Sequence, residues 1–128
     1  MYKAQVRAYF DSGHFLRGYK GKCENLHGHR FHVAVTVETS ELDELGLSID
    51  FGELKKPLEE IIARLDHFNL NEVSPFDKIN PSSENLAAYF FGELKTKLVQ
   101  EMSQRKMKIK SVKVWESPDA WASYSEDE

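Results

Sequence analysis

Two alternating stretches constrain this chain more than anything else in it, and each carries histidine on its apolar side. Residues 3–14 put Ala4, Val6, Ala8, Phe10, Ser12 and His14 on one face, and Lys3, Gln5, Arg7 and Tyr9 on the other. From His27 to about Thr39, His27, His29, Phe31, Val33, Val35 and Val37 share a face, with His32, Ala34, Thr36 and Glu38 behind. A period of two predicts half-buried antiparallel strands. If the two strands pair as neighbours, His14, His27 and His29 converge at one end of the apolar face. A bulge in either strand would break that parity.

The rest of the chain reads as two helices and two further strands. Residues 15–26, with Gly18 and Gly21, form a connection, and residues 40–48 form a polar loop. Asp50-Phe51-Gly52-Glu53 has the form of a capping box, followed by Leu54, Leu58, Ile61, Ile62 and Leu65 at helical spacing. Pro57 inside that pattern predicts a later helix start or a bend. Asp66-His67 falls at the helix end, and residues 68–82 read as a long loop. Ser82 is a plausible N-cap for a second helix with Leu86, Phe90, Leu94 and Leu98 as its buried stripe. A third strand runs from Met107 to Glu116, and its apolar parity switches between Ile109 and Val112, which predicts a bulge. Trp121 to Tyr124 forms a short last strand. The order ββααββ suits an α+β fold, an antiparallel four-stranded sheet with two helices on one face.

At 128 residues the chain is expected to form one domain, 1–128. No apolar run reaches membrane-spanning length, and the N-terminus reads as a strand and not a signal peptide. A single cysteine allows no internal disulfide, so a reducing, cytoplasmic setting is expected. The net charge of −4 argues against nucleic acid as a partner. The lysines 106, 108, 110 and 113 read as a solvated strand face.

Chemistry concentrates in Cys23-Glu24-Asn25-Leu26-His27-Gly28-His29. Imidazoles at i and i+2 on a strand point the same way, and with His14 they offer three ligands for a zinc ion with an open fourth position. Cys23 is a fourth ligand, a base or nucleophile beside the metal, or a buried small hydrophobe. His67, next to Asp66, is either a helix-end histidine favoured by the dipole or a group tuned to pass a proton. Glu116 shares the parity of Val112 and Val114. It is either a strand-end carboxylate reaching water or an anchor for a ligand with adjacent N–H donors. Trp115 and Trp121 are expected in the core. His32 has the wrong parity to join His27 and His29. Arg17, Lys20 and Lys22 belong to a solvated loop or face a substrate phosphate.

Together, Cys23-x-x-x-His27-Gly28-His29, the upstream His14, Asp66-His67, Asn80-Pro81-Ser82-Ser83-Glu84-Asn85 and Trp115-Glu116-Ser117-Pro118 closely resemble the 6-pyruvoyl-tetrahydropterin synthase family. The gap between Cys23 and His27 looks like that of the bacterial 6-carboxytetrahydropterin synthase branch, which serves queuosine biosynthesis. The resemblance implies the tunnelling fold (T-fold) and a homohexamer of two stacked trimers with active sites between subunits. It implies His14, His27 and His29 as zinc ligands and Cys23 as proton acceptor. It implies His67 as proton-relay partner, Asp66 as that histidine's support, and Glu116 as the grip on the pterin ring. The implied reaction is a lyase step on 7,8-dihydroneopterin triphosphate that releases triphosphate and acetaldehyde and leaves a 6-carboxy product. The alternatives are the pyruvoyl product, with the side chain whole, and a non-catalytic zinc- or pterin-binding module. Asp11 and Gly13 depart from the small residues that relatives often carry before the first zinc histidine.

Overall fold

A computed structural model describes residues 1–21 and 24–126. Strands β1 (Tyr2–His14) and β2 (His27–Thr39) come first, followed by helix α1 (Phe51–Ala63) and a single 3₁₀ turn at Leu70–Glu72. Helices α2 (Ser83–Lys97) and α3 (Val99–Gln104) then lead into strands β3 (Met107–Ser117) and β4 (Ala120–Tyr124). The four strands form one antiparallel sheet in the order β1-β2-β3-β4. The architecture is an α+β T-fold with helices on one face of the sheet.

The β1–β2 ladder is unbroken from Tyr2↔Thr39 to His14↔His27. No bulge intervenes, so the alternation of each strand carries through the pair. The one slip on the other side of β2 lies where Thr36↔Ser111 is followed by Val37↔Ile109. Lys110 is the extra residue. It lets Ile109 and Val112 both reach the core despite their opposite parity.

The sheet gives Phe10, Phe31, Val33, Val35, Val112 and Val114 to the core, and the helices answer with Leu54, Leu58, Ile61, Leu86, Phe90 and Leu94. Burying each of these larger side chains contributes about 1.5–3 kcal/mol relative to exposure. Asp50 caps α1 by accepting from the Glu53 N–H, and the helix runs on through a buried Pro57. The cap therefore sets the start, ahead of the proline. Ser82 accepts from the Asn85 N–H and starts α2. The chain breaks once more at Leu98, so a short α3 follows where two helices were expected. Trp115 and Trp121 also differ from expectation. Trp121 is 53% exposed, and both rings lie on the face away from the helices, stacked with the cations of Lys113 and Arg7.

Candidate metal centre

The β1–β2 register closes on His14 opposite His27, with His29 opposite Ser12. Because all three share the apolar parity, their rings gather at one end of the core face. The centroids lie 4.6 Å apart for His14–His27, 4.8 Å for His27–His29 and 5.2 Å for His14–His29. Phe31 forms an apolar floor edge-on to His14 and His29.

Backbone carbonyls set which nitrogen of two of these rings is free. His14 Nδ1 lies 2.7 Å from the Pro81 carbonyl oxygen, and His27 Nδ1 lies 2.6 Å from that of Asn25. A carbonyl only accepts, so each Nδ1 donates and each Nε2 is left with its lone pair. His14 is only 2% exposed. The Nε2 atoms of His14 and His29 are both shut from solvent, with no hydrogen-bond partner among the described residues. Burial holds the titration of both rings below the ordinary histidine value; the Pro81 bond opposes this at His14, and the Glu116 charge opposes it at His29. The rings are thus kept neutral, as metal ligation requires.

Glu116, near the end of β3, joins this group. Its Oε2 is 3.1 Å from His29 Nε2, and its Oε1 is 3.5 Å from the Ser83 hydroxyl. One ligand atom from each of His14, His27, His29 and Glu116 lies within 4.8 Å of all the others. Three imidazole nitrogens and a carboxylate suit zinc. Orphaned, buried lone pairs are costly unless a cation satisfies them, so the residues fit such an ion.

The 69–82 segment braces β1 where it leaves the sheet. Asn71 bonds both the N–H and the carbonyl of Phe15, at 2.9 and 3.0 Å. Asn80 does the same for Arg17, at 2.8 and 3.1 Å. Each amide imitates a neighbouring strand. The Arg17 guanidinium donates to the carbonyls of Asn71, Phe76 and Ile79, tying the loop together and so holding Pro81 over His14. Arg17 is therefore a brace of this loop. The sequence reading gave neither Asn71 nor Asn80 a bracing role, although Asn80 stood in a motif of the resemblance. The only local hint was their density in a loop that also holds prolines.

Asp66 and His67 do touch: His67 Nδ1 is 3.0 Å from Asp66 Oδ2. Asp66 Oδ1 accepts from the Asp11 N–H, and the His67 N–H donates to the Asp11 carbonyl. These bonds, with Gly13 N–H to Phe68 carbonyl, zip the loop along the outer edge of β1. His67 takes a left-handed backbone, φ 63°, and its side chain is 78% exposed. Asp11 is paired with Arg30 at 2.9 and 3.1 Å, which lowers its carboxyl below the ordinary aspartate value. Asp11, Asp66 and His67 form a second compact group, separate from the histidines. Asp11 and His14 have opposite parity on β1, so the two groups sit on different sides of that strand. His32 stacks against Tyr9, away from His29. Cys23 lies outside the described residues.

A sequence model described as 6-pyruvoyl tetrahydropterin synthase matches residues 3–127, and the chain belongs to this family. A 6-carboxy-5,6,7,8-tetrahydropterin synthase of Rickettsia bellii is 29% identical, covering 94% of this chain and 98% of that protein. A dihydroneopterin monophosphate aldolase of Pyrococcus furiosus is 34% identical over 89% of this chain and 90% of its own length. The structure of Caenorhabditis elegans 6-pyruvoyl tetrahydropterin synthase superposes with a TM-score of 0.82 at 27% identity, covering 98% of this chain and 96% of that one. The relatives are enzymes of pterin chemistry, and the histidine–glutamate group is a metal site candidate at the same time. Among the described residues, no helix is long and apolar enough to cross a membrane.

Proposed function

We propose that the chain is a zinc-dependent lyase that converts 7,8-dihydroneopterin triphosphate to 6-carboxy-5,6,7,8-tetrahydropterin, releasing acetaldehyde and triphosphate, in the cytoplasmic biosynthesis of queuosine. The observation that carries this reading is the trio of converging imidazoles, two of them with buried Nε2 atoms that have no partner among the described residues. His14, His27 and His29 would hold the zinc. When bound, it supplies Lewis acidity toward the side-chain oxygens of the substrate and so acidifies the neighbouring C–H bonds.

The chain's own residues do the rest. Glu116 accepts hydrogen bonds from the amino-pyrimidinone edge and so fixes the ring while the side chain reaches the histidines. Cys23, four residues before His27, takes up and returns protons, and His67 resets it, with Asp66 orienting the imidazole through Nδ1. His67 is exposed and faces away from His14 within one chain. A neighbouring subunit then brings its own Asp66-His67 pair to the histidines, which is the arrangement a homohexamer of two trimers supplies. Loss of triphosphate by elimination is followed by C–C cleavage with water, and the atoms of the three-carbon side chain divide between the carboxylate and acetaldehyde.

Incubating zinc-loaded protein with dihydroneopterin triphosphate and identifying every product tests this. The expected outcome is acetaldehyde and the 6-carboxy pterin in equal amounts. A 6-pyruvoyl product without acetaldehyde would replace the proposal with simple elimination. Turnover of the monophosphate in preference to the triphosphate would align the chain with the aldolase-like relative instead.

A further inference from the structure

We propose that Glu116 is itself a metal ligand in the pterin-free protein, closing the fourth position, and that the arriving pterin draws it away. This rests on the zinc reading above and deepens it.

The contact between Glu116 and His29 is not an ordinary ion pair. The two atoms are 3.1 Å apart, yet among the described residues the His29 Nε2 has no hydrogen-bond partner, so the carboxylate oxygen does not lie along the bonding direction of that nitrogen. Two ligand atoms that close, with no hydrogen bond between them, have the spacing of two donors on one ion. Donors on one tetrahedral zinc, each bonded at about 2.0–2.1 Å, sit about 3.3 Å apart. The buried Nε2 of His14, oriented by the Pro81 carbonyl, belongs to the same compact group. Among the described residues, Glu116 also lacks a good protein donor. Its other oxygen reaches only the Ser83 hydroxyl, at 3.5 Å, the outer limit of a hydrogen bond.

The same carboxylate cannot cap the ion and grip the amino-pyrimidinone edge at once. The N–H donors of that edge lie at the far end of the bicyclic ring from the side chain. Pterin binding therefore exchanges one Glu116 partner for another, and the vacated position takes a side-chain hydroxyl. The ion is closed off when no pterin is present and opens only to a molecule carrying the right edge.

The test compares wild type, Glu116→Gln and Glu116→Ala by metal affinity and by the cobalt(II) absorption spectrum. Zinc affinity, measured by chelator competition without any pterin, is expected to fall tenfold or more in Glu116→Ala. The cobalt bands of both variants should already differ from wild type. Adding 7,8-dihydroneopterin should shift the wild-type bands by loss of carboxylate ligation. An affinity within twofold of wild type, with identical cobalt bands, would overturn the assignment. If the variants fail to fold, as judged by far-ultraviolet circular dichroism, the wild-type spectrum decides alone, since bands unmoved by saturating dihydroneopterin also overturn it. None of these readouts needs turnover. Absence of lyase products with the affinity loss intact would sink the proposed reaction and leave the ligand assignment standing. Lyase products formed by the wild type, with zinc affinity and cobalt bands unchanged in the variants, would do the reverse.

Discussion

The two polar groups hung on β1 are built to opposite plans. At the strand's end, His14 is buried, its Nδ1 satisfied by Pro81 and its Nε2 left bare. Three residues earlier, the Asp11 backbone and side chain serve Asp66, His67 and Arg30 with polar bonds throughout, while the His67 ring stands in solvent. The first group presents ligand atoms suited to a cation; the second is saturated at its base and open at its tip. A site that needs an ion can be finished within one fold. A site whose working ring faces outward needs something brought to it, and the proposed subunit interface does that.

The contrast breaks most sharply by mutation. Replacing His14 or His29 with alanine should reduce zinc affinity by a thousandfold or more, since a ligand is lost and a buried space is opened. His67→Ala should instead leave zinc affinity within twofold and lower kcat by a hundredfold or more. Chelator competition and steady-state kinetics on the same preparations separate the two. If His67→Ala also stripped the metal, the two groups would not be independent.

Bracing comes next in size. Asn71 is buried and bonds both backbone groups of Phe15, so Asn71→Ala should destabilise the fold by about 1–3 kcal/mol in urea denaturation. It should also weaken metal binding, because the loop that holds Pro81 over His14 is loosened. An unchanged denaturation midpoint would mean that water replaces the amide at no cost.

Acid should act on the metal-free protein through the histidine end. Burial depresses the folded-state titration of His14 and His29 below 6.5. The unfolded chain then binds more protons than the folded one as pH falls through that value. Stability is full above about pH 6.5 and is lost on going lower, toward the folded-state value. Melting of chelator-treated protein at pH 7.5 and 5.5 should show the drop, and saturating zinc should reduce it. Last and smallest, Arg30→Ala removes an exposed pair from the saturated group, and its melting temperature in high salt should match wild type.

Much of the site was legible because it depends on parity. Two alternating segments with histidines on the apolar side imply convergence once they pair in register, and the β1–β2 ladder has no bulge to spoil it. The bulge in the β2–β3 ladder, at Lys110, left its mark in the mismatched parity of Ile109 and Val112. Asp50 and Ser82 were readable as caps for the same reason, since a cap is a relation across three residues. The braces were not. Asn71 reaches Phe15 across 56 residues, and Asn80 reaches Arg17 across 63. Nothing in the immediate neighbourhood of either asparagine announces its partner. The tryptophans failed for a related reason. Their bulk suggested core, but strand position put them on the face that the helices leave open.

The order of the four strands and two main helices, the shared face of the three histidines and the caps of both main helices were thus decided by the sequence alone, because each follows from periodicity along the chain or from contacts a few residues apart. The tertiary structure decided which ring nitrogens are free, what braces the end of β1, and that Glu116 sits among the histidines while His67 faces away. Those features depend on carbonyls and side chains that meet only after distant segments have packed, so no local pattern can encode them.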